Sequence, residues 1–227
     1  NAFESDNDAA GSDNEPFTHG VFSNVSAFGP FATKSLSLNA KHEEGAAMRL
    51  RRGTKLQIYN SLFAGWGYGF RMESDYSQTA AKDGILNVKN CIIAGIKSDK
   101  YLVDAANDKV FTAAQLEAWY LTSGFRNKML SENEDAKIVN PFNYDIFDFQ
   151  PKPGSPVFNA SYWTPENPNA ETEASIDNSF FETVSYVGAF DGTNDWTEGW
   201  TEWNPVDKDY PATTVTKGNG QFTRATG

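Results

Sequence analysis

Three stretches of the chain share one pattern of apolar and polar positions: VFSNVSAFG (21–29), QIYNSLFAG (57–65) and NVKNCIIAG (87–95). In each, an apolar residue (Phe22, Ile58, Val88) stands two positions before an Asn, and a Gly stands five positions after it. The pairs are Asn24/Gly29, Asn60/Gly65 and Asn90/Gly95. The short runs between them are rich in Val, Ile, Leu, Phe and Tyr and are bounded by Asn or Gly, which predicts strands. Residues 47–73 read as strand, turn at Gly53, strand, turn at Asn60, strand, Gly-rich turn and strand. Within MRLRR, Met48 and Leu50 share one face and Arg49 and Arg51 the other.

Short strands joined by tight bends, repeated at intervals of 36 and 30 residues, predict coils of a parallel β-helix. Asn suits the bend because it tolerates left-handed φ and hydrogen-bonds nearby backbone. Stacked coils bring Asn24, Asn60 and Asn90 above one another, where their amides are expected to form a ladder. The intervals exceed a minimal coil, so loops must emerge. ESDYSQTAAKDG (73–84) reads as a polar insertion. VFTAAQLEAWYLTSG (110–124) reads as a helix over about 112–122: Thr112 at the N-cap with Gln115 at N3, Phe111 stapled to Leu116, and Gly124 as the stop. Leu116, Trp119 and Tyr120 share its apolar face, which is expected to lie against the side of the stack. An antiparallel β-sandwich also has short strands and frequent turns, but it gives the Asn-to-Gly repeat no reason to exist.

Composition narrows the function classes. The 227 residues carry a formal charge of −11, from 19 basic and 30 acidic side chains, which disfavours nucleic acid as a partner. Aromatics make up 14% of the chain, and the mean hydropathy is −0.54. The single cysteine, Cys91, lies in an apolar run and reads as a small buried hydrophobe. No stretch approaches membrane-spanning length. Asn1 falls in a polar loop, which is read as a cut end with coils of the same polypeptide upstream.

FESDNDAAGSDNEPFTHGVFSNVSAFGP, RLRRGTKLQIYNSLFAGW, FQPKPGSPVFN and YVGAFDGTNDWTEGWTEWNP together resemble the C-terminal half of a family of secreted or surface proteins of Bacteroidota-type bacteria. The resemblance implies a right-handed, single-stranded parallel β-helix of the pectin-lyase-like class. It also implies export to the cell surface, on the extracellular face of an outer membrane. DFQPKPGSPVFN (148–159) resembles a last-coil segment and VGAF (187–190) a closing strand. The expected fold is thus all-β: coils over 1–159 with one inserted helix, then a wrapping tail and cap over 160–227.

Four features are candidates for chemistry. DWTEGWTEWNP (195–205) places Trp196, Trp200 and Trp203 on one face of a short helical turn capped by Asp195, with Glu198 at N3. They are expected to form a lid over the open end of the stack, with a ligand platform as the other reading. Arg49, Arg51 and Arg52, with Lys55, form a basic patch. It would either grip an acidic ligand bidentately or bridge to carboxylates on neighbouring coils. Asp6, Asp8, Asp13 and Glu15 cluster around Gly11. Calcium, if any cofactor binds, is expected there, although Ala10 and Phe17 fall where an EF-hand loop needs ligands, and a solvated loop fits better. His19 and His42 sit in polar context, and no HExxH, GxSxG or phosphate-loop motif is present. Three functions remain open: a non-enzymatic protein binding a glycan polymer or a surface-protein partner, a polysaccharide lyase or glycoside hydrolase on the same scaffold, and a purely structural part of a larger surface assembly.

Overall fold

The computed structural model describes residues 1–98, the backbone of 101–103, and residues 110–164 and 175–210. The first three passes of the chain each lay one strand into each of three sheets. The first pass comprises β1 (Phe3–Ser5), β2 (Val21–Ser23) and β3 (Ser26–Phe28). The second is β4 (Ala46–Leu50), β5 (Gln57–Tyr59) and β6 (Leu62–Ala64), and the third β7 (Tyr68–Met72), β8 (Asn87–Lys89) and β9 (Ile92–Ala94). A fourth contributes β10 (Tyr101–Val103) and β11 (Lys128–Leu130). Sheet one has the order β1-β4-β7-β10, sheet two β2-β5-β8 and sheet three β3-β6-β9-β11. Every pairing within these sheets is parallel.

The register explains the sequence repeat. Ser23 pairs with Tyr59 and Tyr59 with Lys89, while Ser26 pairs with Leu62 and Leu62 with Ile92. Asn24, Asn60 and Asn90 therefore hold the same place in successive passes, at the bend from sheet two to sheet three. Their φ values are 57°, 47° and 54°, in the left-handed region where Asn costs least among residues with a Cβ. The Gly of each repeat ends the sheet-three strand where another part of the chain comes close. A Cβ on Gly65 would lie 2.6 Å from the Phe31 carbonyl oxygen, and one on Gly95 would lie 2.0 Å from Asn133 Oδ1.

The expected ladder of Asn amides is replaced by a different set of bonds. Asn24 Nδ2 donates to the carbonyls of Tyr186 and Gly188, both at 3.0 Å. Asn60 Nδ2 donates to Ser23 Oγ at 3.0 Å, and its Oδ1 accepts from the Tyr162 amide at 2.6 Å. Asn90 Nδ2 donates to the Ala160 carbonyl at 3.2 Å. The amides reach outward to the returning tail because its backbone otherwise has no ladder to join.

Three apolar clusters follow from strand alternation. Met48, Leu50, Phe70 and Met72 from sheet one meet Ile58, Val88, Phe63 and Ile93 in the interior. Leu62, Ala64, Ile92 and Ala94 point outward from sheet three and pack under Ala136, Ile138, Val157 and Val187. Tyr59 points outward from sheet two against Tyr162 and Ile176. Strands β5, β6 and β9 are thus buried on both faces, which is why they read as continuous rather than alternating apolar runs. The part of the tail at 165–174 and 211–227 lies outside the described residues.

Helices depart from expectation in two places. Residues 73–84, read as a polar insertion, hold α2 (Asp75–Lys82), which follows α1 (Ala40–Glu43). It has no apolar stripe because it buries Ser77, Gln78, Ala80 and Ala81. Polar bonds dock it: Ser77 Oγ accepts from the Gly53 amide at 2.9 Å, and Gln78 Oε1 accepts from Val110 and Phe111 at 3.2 Å each. The inserted helix α3 (Ala113–Tyr120) has the expected capping box between Thr112 and Gln115. It ends at Leu121, and Gly124 lies in the 3-10 turn that follows. Its apolar face does not lie on the side of the stack. Phe111, Leu116 and Tyr120 join the interior cluster, Trp119 stacks 6.0 Å from Phe70, and Tyr120 Oη donates to the Cys91 carbonyl at 3.2 Å. Placed between β10 and β11, α3 closes this end of the interior.

Among the described residues the parallel strands end at Leu130, and 131–159 is not a further coil. It forms a 3-10 turn and an antiparallel hairpin of β12 (Ile138–Asn140) and β13 (Asp148–Pro151). VGAF (187–190) takes no strand conformation, yet its Gly188 amide donates to the Asn60 carbonyl at 2.8 Å.

Replacing Asn60 tests the bend. Asn60→Ala removes the tail bond and leaves in the left-handed region a residue without the polar side chain that makes Asn tolerant of it, for an expected loss of about 3 kcal/mol. Asn60→Gly restores the backbone and should recover about 1 kcal/mol of that. Urea unfolding of the three proteins measures both, and equal losses in the two variants would show that left-handed backbone has no energetic part.

Candidate functional site

The C-terminal tail reaches the outer flank of β3 through a chain of side-chain clamps. Gln150 on β13 accepts from the Gly192 amide at 3.0 Å and donates to the Asn194 carbonyl at 3.2 Å. Asp191 Oδ1 accepts from the Asn194 and Thr193 amides, both at 2.7 Å, and these hold its carboxyl below the usual carboxylate range. Asp195 accepts from the Thr197 amide at 3.0 Å. Residues 196–200 form turns rather than helix, and Gly199 at φ 84° ends the local winding.

Consequently the tryptophans do not form a lid. Trp196, Trp200 and Trp203 are 49%, 71% and 45% exposed. The end of the interior that a lid would seal is occupied by α3. The three rings stand on the flank of sheet three, and the Trp196 and Trp200 N–H groups donate to the carbonyls of Ala189 and Trp196, at 2.8 and 2.7 Å. Trp196 stacks on Phe190 at 5.7 Å and 22°, Phe190 on Phe149 at 5.7 Å and 27°, and Phe149 on Phe28 at 5.2 Å and 23°. Trp203 meets Phe149 edge-on at 4.8 Å.

Between Trp196, Trp203 and the loop 141–147 lies a cleft of about 360 Å³. Its lining is mostly aromatic, with Ser26 and Tyr144 supplying the hydroxyls and no carboxylate or imidazole among the described residues. Ser26 Oγ accepts from the Ala189 amide at 2.9 Å, which leaves its proton free to donate. Such a surface receives the CH-bearing face of a ring or an apolar chain. Pro141 and Phe142 form a common wall with a second hollow of about 440 Å³, whose rim carries Thr33, Lys137, Asn140, Asn143 and Lys152.

The arginine patch is internally paired. Glu4, Arg49 and Arg71 are register partners across β1, β4 and β7. Arg49 Nε lies 3.1 Å from Glu73, whose hydrogen bond raises the guanidinium pKa further. Arg71 also lies 3.1 Å from Glu73. Arg51 lies 2.6 Å from Asp6 and 2.9 Å from Glu4, and Arg52 lies 3.1 Å from Asp6. These guanidinium groups are paired with carboxylates of the chain itself, the second of the two readings.

The structure does not bring the four loop carboxylates together. Asp6 joins the arginines and Asp13 lies 3.5 Å from Lys55. Asp8 is hydrogen-bonded by Ser12, Gly11, Ala10 and Asn14, with Ser12 contributing most to holding its carboxyl below the usual range. Glu15 stands exposed. Among the described residues no group of three or more His, Cys, Asp or Glu side chains is placed to hold a metal ion. His19 bonds Gln57 at 2.7 Å, and His42 lies exposed on α1.

Sequence reasoning missed Phe28, Phe142, Phe147, Phe149 and Phe190 as cleft residues. FNYDIFDF (142–149) holds four aromatics in eight positions, a density that could have marked the loop. Phe28 and Phe190 carry no such signal, because only packing brings them to the same place.

A family model described as a pectate-lyase-like beta helix domain matches residues 1–130. The match stops at the last residue of β11, so the hairpin, the tail and most of the cleft lie beyond it. No curated protein and no solved structure gives a significant match.

Cys91 is the chain's single thiol; it is fully buried, and burial pushes its pKa up to about 12. At pH 8 the thiolate fraction is then minute. A thiol reagent should label Cys91 only as fast as the protein opens, with the rate rising in step with urea-induced unfolding. Rapid labelling of folded protein would contradict the packing.

Proposed function

This chain belongs to the pectate-lyase-like β-helix domains, and we propose that it is a non-enzymatic, exported or cell-surface protein that binds a glycan polymer. The observation that carries this reading is the cleft: half-exposed indoles and a file of stacked phenyl rings, open to solvent and free of carboxylates. Exposed aromatic surface of this extent marks a binding site in a chain whose core is otherwise closed. A ring of a sugar chain presents CH groups to such a wall while its hydroxyls reach Ser26, Tyr144 and water. Export follows from the ligand, because a polymer of this kind is met outside the cell. The right hand of the coil belongs to the same proposal, since parallel strand–crossover–strand connections take that hand.

Catalysis on the same scaffold is the second reading, and one place favours it. A hollow of about 530 Å³ is lined by Asp13, Asp75, Asp83 and Lys55, and paired carboxylates are what glycoside hydrolysis requires.

Calorimetric titration with a panel of neutral and acidic oligosaccharides tests the first reading. Trp203→Ala and Trp196→Ala should each weaken binding about tenfold, ~1.4 kcal/mol, as expected of an anchoring aromatic. Product formation that survives in these variants and vanishes in Asp75→Asn or Asp83→Asn would replace binding with catalysis.

A further inference from the structure

The hollow beyond Pro141 and Phe142 has a character opposite to the cleft it adjoins. Lys137 and Lys152 lie opposite each other on the backbone at the open end of the β12–β13 hairpin, where the Lys152 amide donates to the Lys137 carbonyl at 2.7 Å. Neither ammonium has an ion-pair or hydrogen-bond partner among the described residues. In a chain of formal charge −11, carboxylates are plentiful: Lys34, Lys55, Lys97 and Lys208 each lie within ion-pair distance of one. Two like charges held opposite each other across a hairpin destabilise it unless an anion comes between them.

The neutral groups beside them are turned the right way. Asn143 uses its Oδ1 to accept from the Asp145 and Ile146 amides, at 3.1 and 3.3 Å, which leaves Nδ2 as a donor. Asn140 makes no side-chain hydrogen bond among the described residues and lines the same hollow. Two lysines and two asparagines thus line a hollow of about 440 Å³ that shares a wall with the aromatic cleft. Glu134, on the rim, opposes an anion there. All of these residues lie beyond the stretch matched by the family model.

We propose that Lys137, Lys152, Asn140 and Asn143 form an oxyanion-binding subsite that takes a carboxylate or sulfate group of a ligand whose neighbouring ring lies in the aromatic cleft. The link to the cleft rests on the glycan-binding reading above; the anion site itself stands on the hairpin alone. The subsite gives the groove direction, because the apolar wall and the cationic end recognise different parts of one chain.

The test has two arms. In the first, the folded protein with isotopically methylated lysines is titrated with acetate and with sulfate alone and followed by NMR. Saturable shifts confined to Lys137 and Lys152 are expected, and the stronger of the two anions identifies the group. Small, unsaturating shifts spread over all lysines overturn the subsite. In the second arm, one oligosaccharide backbone is supplied in neutral, carboxylated and sulfated forms and titrated calorimetrically at low and high salt. The wild type should prefer an anionic form at least tenfold at low salt, and high salt should reduce that preference. Lys137→Gln with Lys152→Gln should abolish the preference and leave neutral binding unchanged. Glu134→Gln should increase it. A preference that persists in the double variant overturns the proposal. If the lysines bind free anion while no oligosaccharide binds, the subsite is upheld and the glycan-binding reading fails.

Discussion

A left-handed backbone at one position per pass is the constraint from which most of this structure follows. At Asn24, Asn60 and Asn90 the chain turns sharply from sheet two into sheet three. The turn recurs in register, so the flanking strands stack in parallel and the interior closes around Met48, Phe63, Phe70 and Ile93. The same three side chains then reach outward to hold residues 160, 162, 186 and 188 of the tail. One residue type therefore sets the coil and fastens what wraps it. A Gly in its place would permit the bend and leave the tail without its bonds.

That fastening determines where solvent is admitted. Sheets two and three are covered on their outer faces by the tail and the hairpin, whereas the outer face of sheet one carries Glu4, Arg49, Arg71 and Glu73 in mutual ion pairs. Partly exposed pairs of this kind add little stability individually. They do satisfy one another. The exposed tryptophans gather instead at the flank of β3, where tail, hairpin and first pass converge. A groove with an aromatic wall and a cationic end at this convergence is the part of the molecule suited to a ligand, and it is built largely from residues that follow the coils.

The strands and their order were readable in the sequence because both depend on local chemistry. The Asn-to-Gly offset reports a backbone conformation and a close approach, the alternation in MRLRR reports an inside and an outside, and Thr112 with Gln115 reports a helix start. Helix α2 was not readable, because Ser77 and Gln78 dock through hydrogen bonds to Gly53, Val110 and Phe111, and such partners leave no periodic apolar stripe. The spacing of Trp196, Trp200 and Trp203 suggested a helical face, but Gly199 breaks the winding and the rings pack on Phe190 and Phe149 instead.

The sequence by itself therefore determined the parallel coil, its bends and the inserted helix, since each is specified within a few residues by φ preference, side-chain alternation or capping. Only the tertiary structure decided that α3 rather than the tryptophans closes the interior. It also decided that the Asn amides hold the tail, that Arg49, Arg51 and Arg52 are already paired, and that Phe28, Phe149 and Phe190 meet in one cleft. These outcomes depend on which distant segments come to lie side by side, a matter of packing free energy over the whole chain that no local pattern records.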